Sequence, residues 1–274
     1  MHVMTSQRVN RSEIYRFLKS IIVKDKDITL KLREKPCIYD MCSDVIQHDE
    51  IYLDQHIDRF VDILRIAEIR HHASPMKNLR ILDVGAGVGF LSILLKVKYG
   101  HCVEAVDLKE SVIFWEERFR KYGIPLKSCD ITIDPLPYPA ENFDFVIFSE
   151  VLEHLVTSPI YALKQIRRVL KYKGYLILTT PNMCRLANIG KLILGKNIVP
   201  DFRKYELCHH PKTPHFREYT LNEVLLLIDE VKLKAEKVYM SRCWDHFRSK
   251  RFFGVITYLL PRYRSCIMIK AKKL

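Results

Sequence analysis

Apolar positions change rhythm once along this chain. Up to residue 75 they recur at three- and four-residue intervals: first Ile14, Phe17, Leu18, Ile21 and Ile22, then Ile57, Phe60, Val61, Leu64 and Ile66 within Leu53–Ile69. Such spacing predicts two amphipathic helices, separated by the charged run from Lys24 to Lys35 and Pro36 and closed by Ser74-Pro75. From Leu79 onward, short apolar runs alternate with helical stretches. Strands are expected at Leu79–Val84, Cys102–Val106, Pro125–Cys129, Phe143–Phe148 and Tyr175–Thr179, with helices at Phe90–Tyr99, Ser111–Tyr122 and Ile160–Leu170. A helix at Leu221–Ile228 and strands at Val231–Met240 and Arg264–Lys272 complete the series. The strand runs are short and nearly continuous in apolar residues, as for strands covered on both faces. The alternation predicts an α/β fold with a doubly wound, seven-stranded, mostly parallel sheet. Residues 1–75 form a helical extension to it, 76–182 the core and 183–219 an insertion rich in Pro, His and basic residues. Residues 220–274 complete the sheet.

Composition narrows the class. The chain has 274 residues, 48% of them apolar, enough for a sizeable core. The longest run without Asp, Glu, Lys or Arg is Val84–Leu95, far short of the roughly 20 residues that span a bilayer. The first ten residues lack the apolar core of a secretory signal, so a soluble cytoplasmic protein is expected. Eight cysteines, none spaced C-x-x-C, read as reduced thiols. Cys208, His209, His210 and His215 invite a zinc reading but lack a second ligand pair, and no metal is expected. Charge is uneven: residues 1–184 hold 26 Lys/Arg against 24 Asp/Glu, and residues 185–274 hold 19 against 8. The basic third could face nucleic acid, an anionic membrane, a phosphate-bearing substrate or only water.

The richest segment is Ile81-Leu82-Asp83-Val84-Gly85-Ala86-Gly87-Val88-Gly89-Phe90. A strand ends in an acid, turns through three alternating glycines and enters a helix, at the strand edge where open α/β sheets bind ligands. The dinucleotide pattern G-x-G-x-x-G would need glycine at position 90, where Phe90 stands. Asp83 repels a pyrophosphate and attracts an ammonium, which favours a ligand such as S-adenosylmethionine. Asp107, 22 residues after Gly85, sits where a carboxylate accepts ribose hydroxyls. Asp130, with Ile131 beside it, can accept an adenine amine, and Glu150 follows the fourth strand. Four acids at successive strand ends share one sheet edge.

With these motifs the chain resembles the class I S-adenosylmethionine-dependent methyltransferases, strongly over Met76–Asn182. Asp83–Gly89 matches that family's first motif, Asp107 its ribose acid and Asp130 its adenine-site acid. Ser149-Glu150-Val151-Leu152-Glu153-His154-Leu155 matches the segment after the fourth strand. Arg167–Leu176 matches the next helix–turn–strand, with Gly174 expected in the tight turn. The resemblance implies a Rossmann-like methyltransferase fold and S-adenosylmethionine held by Asp83, Gly85, Ala86, Gly87, Gly89, Asp107, Leu108, Asp130, Ile131, Ser149 and Glu150. His154 is the candidate catalytic base, or else a packing histidine.

The segments beyond the fourth and fifth strands bear on the acceptor. Ser-Glu-Val-Leu-Glu-His stands where amine methylases of nucleic acids carry N-P-P-Y or D-P-P-Y, which disfavours that chemistry. Thr179-Thr180-Pro181-Asn182 resembles small-molecule and glycan O-methylases. A looser likeness over Asn182–Thr220 and Leu260–Arg264 is to methyltransferases of surface-polysaccharide gene clusters, from which Val231-Lys232-Leu233 departs in place of Gly-Phe. The expectation is O-methylation of a saccharide or other small hydroxyl compound, lipid-linked acceptors included. Residues 183–219 are expected to form a lid presenting His209, His210, His215, Arg217 and Tyr219 to substrate. Trp244–Tyr263 either packs on the sheet or lies on an anionic membrane. The competing readings are an RNA or protein methyltransferase docking through the basic third, and a cofactor-binding regulator without catalysis.

Overall fold

The structure, a computed structural model, describes residues 9–28, 45–68, 78–199, 215–243 and 251–274. Seven strands form one sheet in the order β3-β2-β1-β4-β5-β7-β6. They are β1 (Arg80–Val84), β2 (Cys102–Asp107), β3 (Leu126–Ser128), β4 (Phe143–Ser149), β5 (Leu170–Pro181), β6 (Leu233–Ser241) and β7 (Cys266–Lys273). β1 to β5 are parallel, whereas β7 runs antiparallel to both β5 and β6. Sequence order reverses between β1 and β4, which opens a crevice at their carboxyl ends.

Alternation along the strands splits the core into two layers. Ile81, Val103, Ala105, Phe145, Ile147, Ile177 and Met268 face one side. There they meet α1 (Arg11–Lys24), α2 (Val45–Ala67), α3 (Phe90–Ile93, continuing as a π-turn over Leu94–Lys98) and α4 (Lys109–Lys121). Leu82, Val84, Val106, Val146, Phe148, Leu176, Leu178 and Ile269 face the other, under α5 (Pro159–Val169) and α7 (Leu221–Glu230). Burial on both faces explains the nearly unbroken apolar strand runs.

The helical extension belongs to the first layer. Asn10 caps α1 by accepting the amides of Ser12 and Glu13 at 3.0 and 3.4 Å, and Ile14, Leu18, Ile21 and Ile22 are buried. The extension is pinned by Arg118 of α4, whose fully buried guanidinium pairs with Asp25 at 3.1 Å and with Asp49 of α2. The same guanidinium donates to the Val88 carbonyl in the glycine turn at 3.3 Å. One cation therefore ties two helices to the loop that enters α3.

Three details differ from the sequence reading. β5 begins directly after α5 at Leu170, pairing first with Phe143, and a register shift follows in β4. The expected turn is instead a bulge within β5, where Lys173 is left-handed (φ 62°) and Gly174 packs against backbone carbonyls. The missing glycine after α7 is replaced by Lys232, which adopts φ 56° and leads into β6. The insertion holds a helix, α6 (Leu186–Ile193), and α8 (Arg251–Leu259) precedes β7. Among the described residues no helix is long and apolar enough to cross a membrane.

Removing one partner of a buried ion pair strands the others. Arg118→Met is expected to lower unfolding free energy by about 3–5 kcal/mol, measured by urea denaturation. A loss below about 1 kcal/mol, the range of exposed ion pairs, would show that the triad does not hold the extension.

Candidate active site

A cavity of about 530 Å³ opens at the carboxyl ends of β1, β2 and β4, within the size range of small-ligand sites. Its floor is the glycine turn. Gly85 and Gly87 have φ of +74° and +52°, and a Cβ on Gly85 would come within 2.3 Å of Val151 Cγ2. At Gly87 a Cβ would meet nothing within 4 Å, so its backbone faces open space. The turn is tied to β2: the Gly85 amide donates to the Val106 carbonyl at 2.9 Å. Asp107 closes the joint, its two oxygens accepting the Gly87 and Leu108 amides at 2.7 Å each.

One wall suits a nucleoside. Leu108, Ser111, Trp115, Cys129, Asp130, Ile131 and Thr132 line it. Asp130 accepts the Thr132 amide and hydroxyl through Oδ1 at 3.1 and 2.6 Å, which fixes the carboxylate beside the apolar Ile131. An aromatic and aliphatic wall beside two half-buried carboxylates matches the demands of an adenosine group. Asp83, Ala86 and Gly89 are outside the lining. Asp83 is buried under the turn, its Oδ2 accepting the Ser92 hydroxyl of α3 at 2.5 Å, so its carboxylate is directed to the helix.

The opposite wall comes from the carboxyl end of β4 and from α2. Ser149 and Glu150 both bond the Thr179 hydroxyl at 2.8 Å. Glu150 adopts φ 56°, and its Oε2 lies 3.6 Å from a guanidinium nitrogen of Arg59. Arg59 also donates to the Tyr52 hydroxyl at 3.2 Å. Tyr52, Gln55, His56 and Arg59 all line the cavity at positions three to four apart on α2, and the sequence pattern singles out none of them. In sequence they look like the polar edge of an amphipathic helix. An arginine on that edge is the one available signal.

His154 ends a 3₁₀ turn over Leu152–His154 and lines the cavity with His215. The two rings meet edge-on with centroids 5.0 Å apart. Glu153, which no sequence motif marks as functional, is fully buried, accepts the Thr180 hydroxyl at 3.0 Å through Oε2 and places Oε1 3.9 Å from His154 Nε2. Burial and the nearby Glu150 hold its carboxyl well above the usual range. Glu153, His154 and His215 offer one donor atom each, all within 4.8 Å of one another, a set able to hold a metal ion. The other expected substrate residues are placed differently. Tyr219 is buried in the core, bridged to Asn182. Arg217 pairs with Glu223 on the surface, because Glu223 is drawn to Thr220 by the capping box of α7. His209 and His210 lie outside the described residues, as does most of the Cys208–His215 cluster.

Burial pushes Asp83 up to about 6, against the opposing pull of the Ser92 hydrogen bond. Between roughly 4 and 6 the folded chain holds a proton that the unfolded chain has released, so stability falls as pH rises through that window. Asp83→Asn removes the titration. Relative to wild type the variant is expected to gain about 2–3 kcal/mol between about pH 4 and about pH 7, measured by urea denaturation at each pH. A difference that does not vary with pH would contradict this reading of Asp83.

Comparison with known proteins agrees with this geometry. Residues 82–178 match a family model described as "Methyltransferase domain". A ubiquinone biosynthesis O-methyltransferase of Rickettsia bellii is 30% identical over 176 residues, 63% of this chain and 69% of that protein. A possible histamine N-methyltransferase of Thermotoga maritima has the same fold, with TM-score 0.55 and 17% identity over 86% of this chain and 98% of its own. A phosphoethanolamine N-methyltransferase of Haemonchus contortus, solved with S-adenosyl-L-methionine, aligns with TM-score 0.50 and 15% identity over 77% of this chain and 52% of its own. The glycine turn, the acids at the strand ends and these relatives establish that the chain belongs to the class I S-adenosylmethionine-dependent methyltransferases.

Proposed function

We propose that this methyltransferase acts on a hydroxyl oxygen of a small acceptor, a saccharide or another hydroxyl compound. The observation that carries the reading is the single cavity shared by the Asp107–Gly87 joint and the Glu153–His154–His215 cluster. The similarity to a protein named for O-methylation supports the choice of oxygen.

Asp107 binds the ribose hydroxyls, and Asp130 with Ile131 receives the adenine. Asp107 is already oriented by two backbone amides, so little reorganisation accompanies binding. When bound, S-adenosylmethionine supplies an electrophilic methyl attached to a cationic sulfur. Glu150 and Ser149 lie along the same rim, and Arg59 keeps Glu150 in place from α2. His154 would take the acceptor's hydroxyl proton on a ring nitrogen as the methyl's bond to sulfur is exchanged for one to that oxygen, the sulfur leaving uncharged. Glu153 and His215 orient that ring.

Two variants separate the roles. Asp107→Ala is expected to weaken binding of S-adenosylhomocysteine by about 1–3 kcal/mol, through loss of charge-assisted hydrogen bonds. Unchanged calorimetric affinity would remove Asp107 from the ribose site. His154→Gln is expected to retain that affinity but lose on the order of 10²–10⁴-fold in turnover, read as transfer of labelled methyl to hydroxyl compounds. Undiminished turnover in His154→Gln would eliminate the base, and transfer to amines alone would eliminate the hydroxyl acceptor.

A further inference from the structure

The basic third of the chain carries two short helices that the methyl-transfer chemistry does not use. α6 starts just beyond the end of β5, and α8 leads through a 3₁₀ turn (Pro261–Tyr263) into the start of β7. Pro181 and Cys266 are paired across those two strands, so both helices adjoin the sheet edge that bears the cavity. Asn182 stitches the two connections, its side-chain amide donating to the carbonyls of Arg262 and Arg264 at 2.8 and 2.7 Å. The foot of α6 also reaches the cavity wall. Arg185 and Asn188 bond Glu218 at 2.7 and 2.8 Å, and Glu218 lies 3.4 Å from His215.

Both helices leave large apolar side chains in water. Ile193 and Leu194 are 79% and 72% exposed, and Tyr258 and Leu259 are 70% and 68% exposed. Leu192, Val199, Val255 and Leu260 extend these clusters. Single exposed apolar residues are ordinary, but runs of them on two elements at one edge mark a contact surface. Arg185 is neutralised by Glu218, but the two segments themselves carry charge of one sign. Residues 185–199 and 251–264 contain three Lys/Arg each and no Asp or Glu. A protein partner would need a matching acidic, apolar face, whereas an anionic bilayer supplies both features everywhere on its surface. The helices have 8 and 9 residues, too short to cross a bilayer and suited to lying in its interface.

We propose that α6 and α8 form a peripheral docking surface for an anionic lipid bilayer, which seats the cavity edge against the membrane. Apolar side chains of the two helices enter the headgroup boundary, and Lys191, Lys196 and Arg262 meet the lipid phosphates. The surface stands apart from the acceptor's identity. An acceptor held in the membrane would have direct access to the site.

The test is sedimentation of the full chain with vesicles of phosphatidylcholine alone or mixed with phosphatidylglycerol. The chain is expected to pellet with the mixed vesicles and to be released by salt. The double variant Ile193→Glu/Leu259→Glu is expected to bind at least about tenfold more weakly. Val97→Glu, at an exposed apolar position on the π-turn, is expected to behave as wild type, and both variants are expected to keep wild-type affinity for S-adenosylhomocysteine, which reports folding. Failure to pellet at low salt, equal pelleting with phosphatidylcholine alone, or unimpaired pelleting of the double variant would each overturn the proposal. So would loss of self-association, or of single-stranded RNA binding, in the double variant without any vesicle binding. Those outcomes would reassign the face to a second copy of the chain or to nucleic acid.

Discussion

The Asp107 carboxylate joins the two parts of the chain that meet at the floor of the cavity. One oxygen accepts the Gly87 amide and the other its neighbour's amide at Leu108. The glycine turn is thereby fastened to the end of β2, and the carboxylate is aimed before any ligand arrives. This constraint explains why the turn needs residues with positive φ and no Cβ in the path of Val151. It also explains why the strands must be parallel and in register here. Only then do the carboxyl ends of β1, β2 and β4 reach one cavity.

The helical extension completes the site as well as covering the sheet. Without α2 the cavity would lack Tyr52, Gln55, His56 and Arg59, and Glu150 would face no cation from that side. Arg118 carries the mechanical link, since its charge is shared by Asp25, Asp49 and the Val88 carbonyl. Taking a guanidinium to zero exposure has a large desolvation cost, offset here by two carboxylates and a carbonyl. The resulting geometry is specific: helices from the first 70 residues are positioned by the loop that floors the cavity. Part of the cavity wall therefore comes from a segment remote in sequence from the methyltransferase motifs.

Much of the fold is legible in the sequence, for identifiable physical reasons. Strands buried on both faces leave continuous apolar runs, and a glycine turn followed by acids at strand ends suits few ligands besides a cationic nucleoside. The illegible part is set by contacts between distant segments. Arg59 and His56 sit on the polar edge of a helix whose apolar stripe is easy to read, and only the docking of α2 on the sheet turns that edge inward. Tyr219 is close to His215 and Arg217 in sequence, yet it goes to the core because its backbone bridges Asn182. Glu153 is overshadowed in sequence by its neighbour His154, although the 3₁₀ turn directs it to Thr180 beneath the ring. The strand-end position of Asp83 suggests a side chain facing the ligand, whereas Ser92 holds its carboxylate toward α3.

The most direct trial of the account is a crystal structure of the chain with S-adenosylhomocysteine. The account predicts the nucleoside in the cavity of about 530 Å³, its ribose hydroxyls on Asp107 and its adenine between Trp115, Asp130 and Ile131. A nucleoside seated elsewhere, or Asp107 making no hydrogen bond to it at saturating ligand, would contradict it.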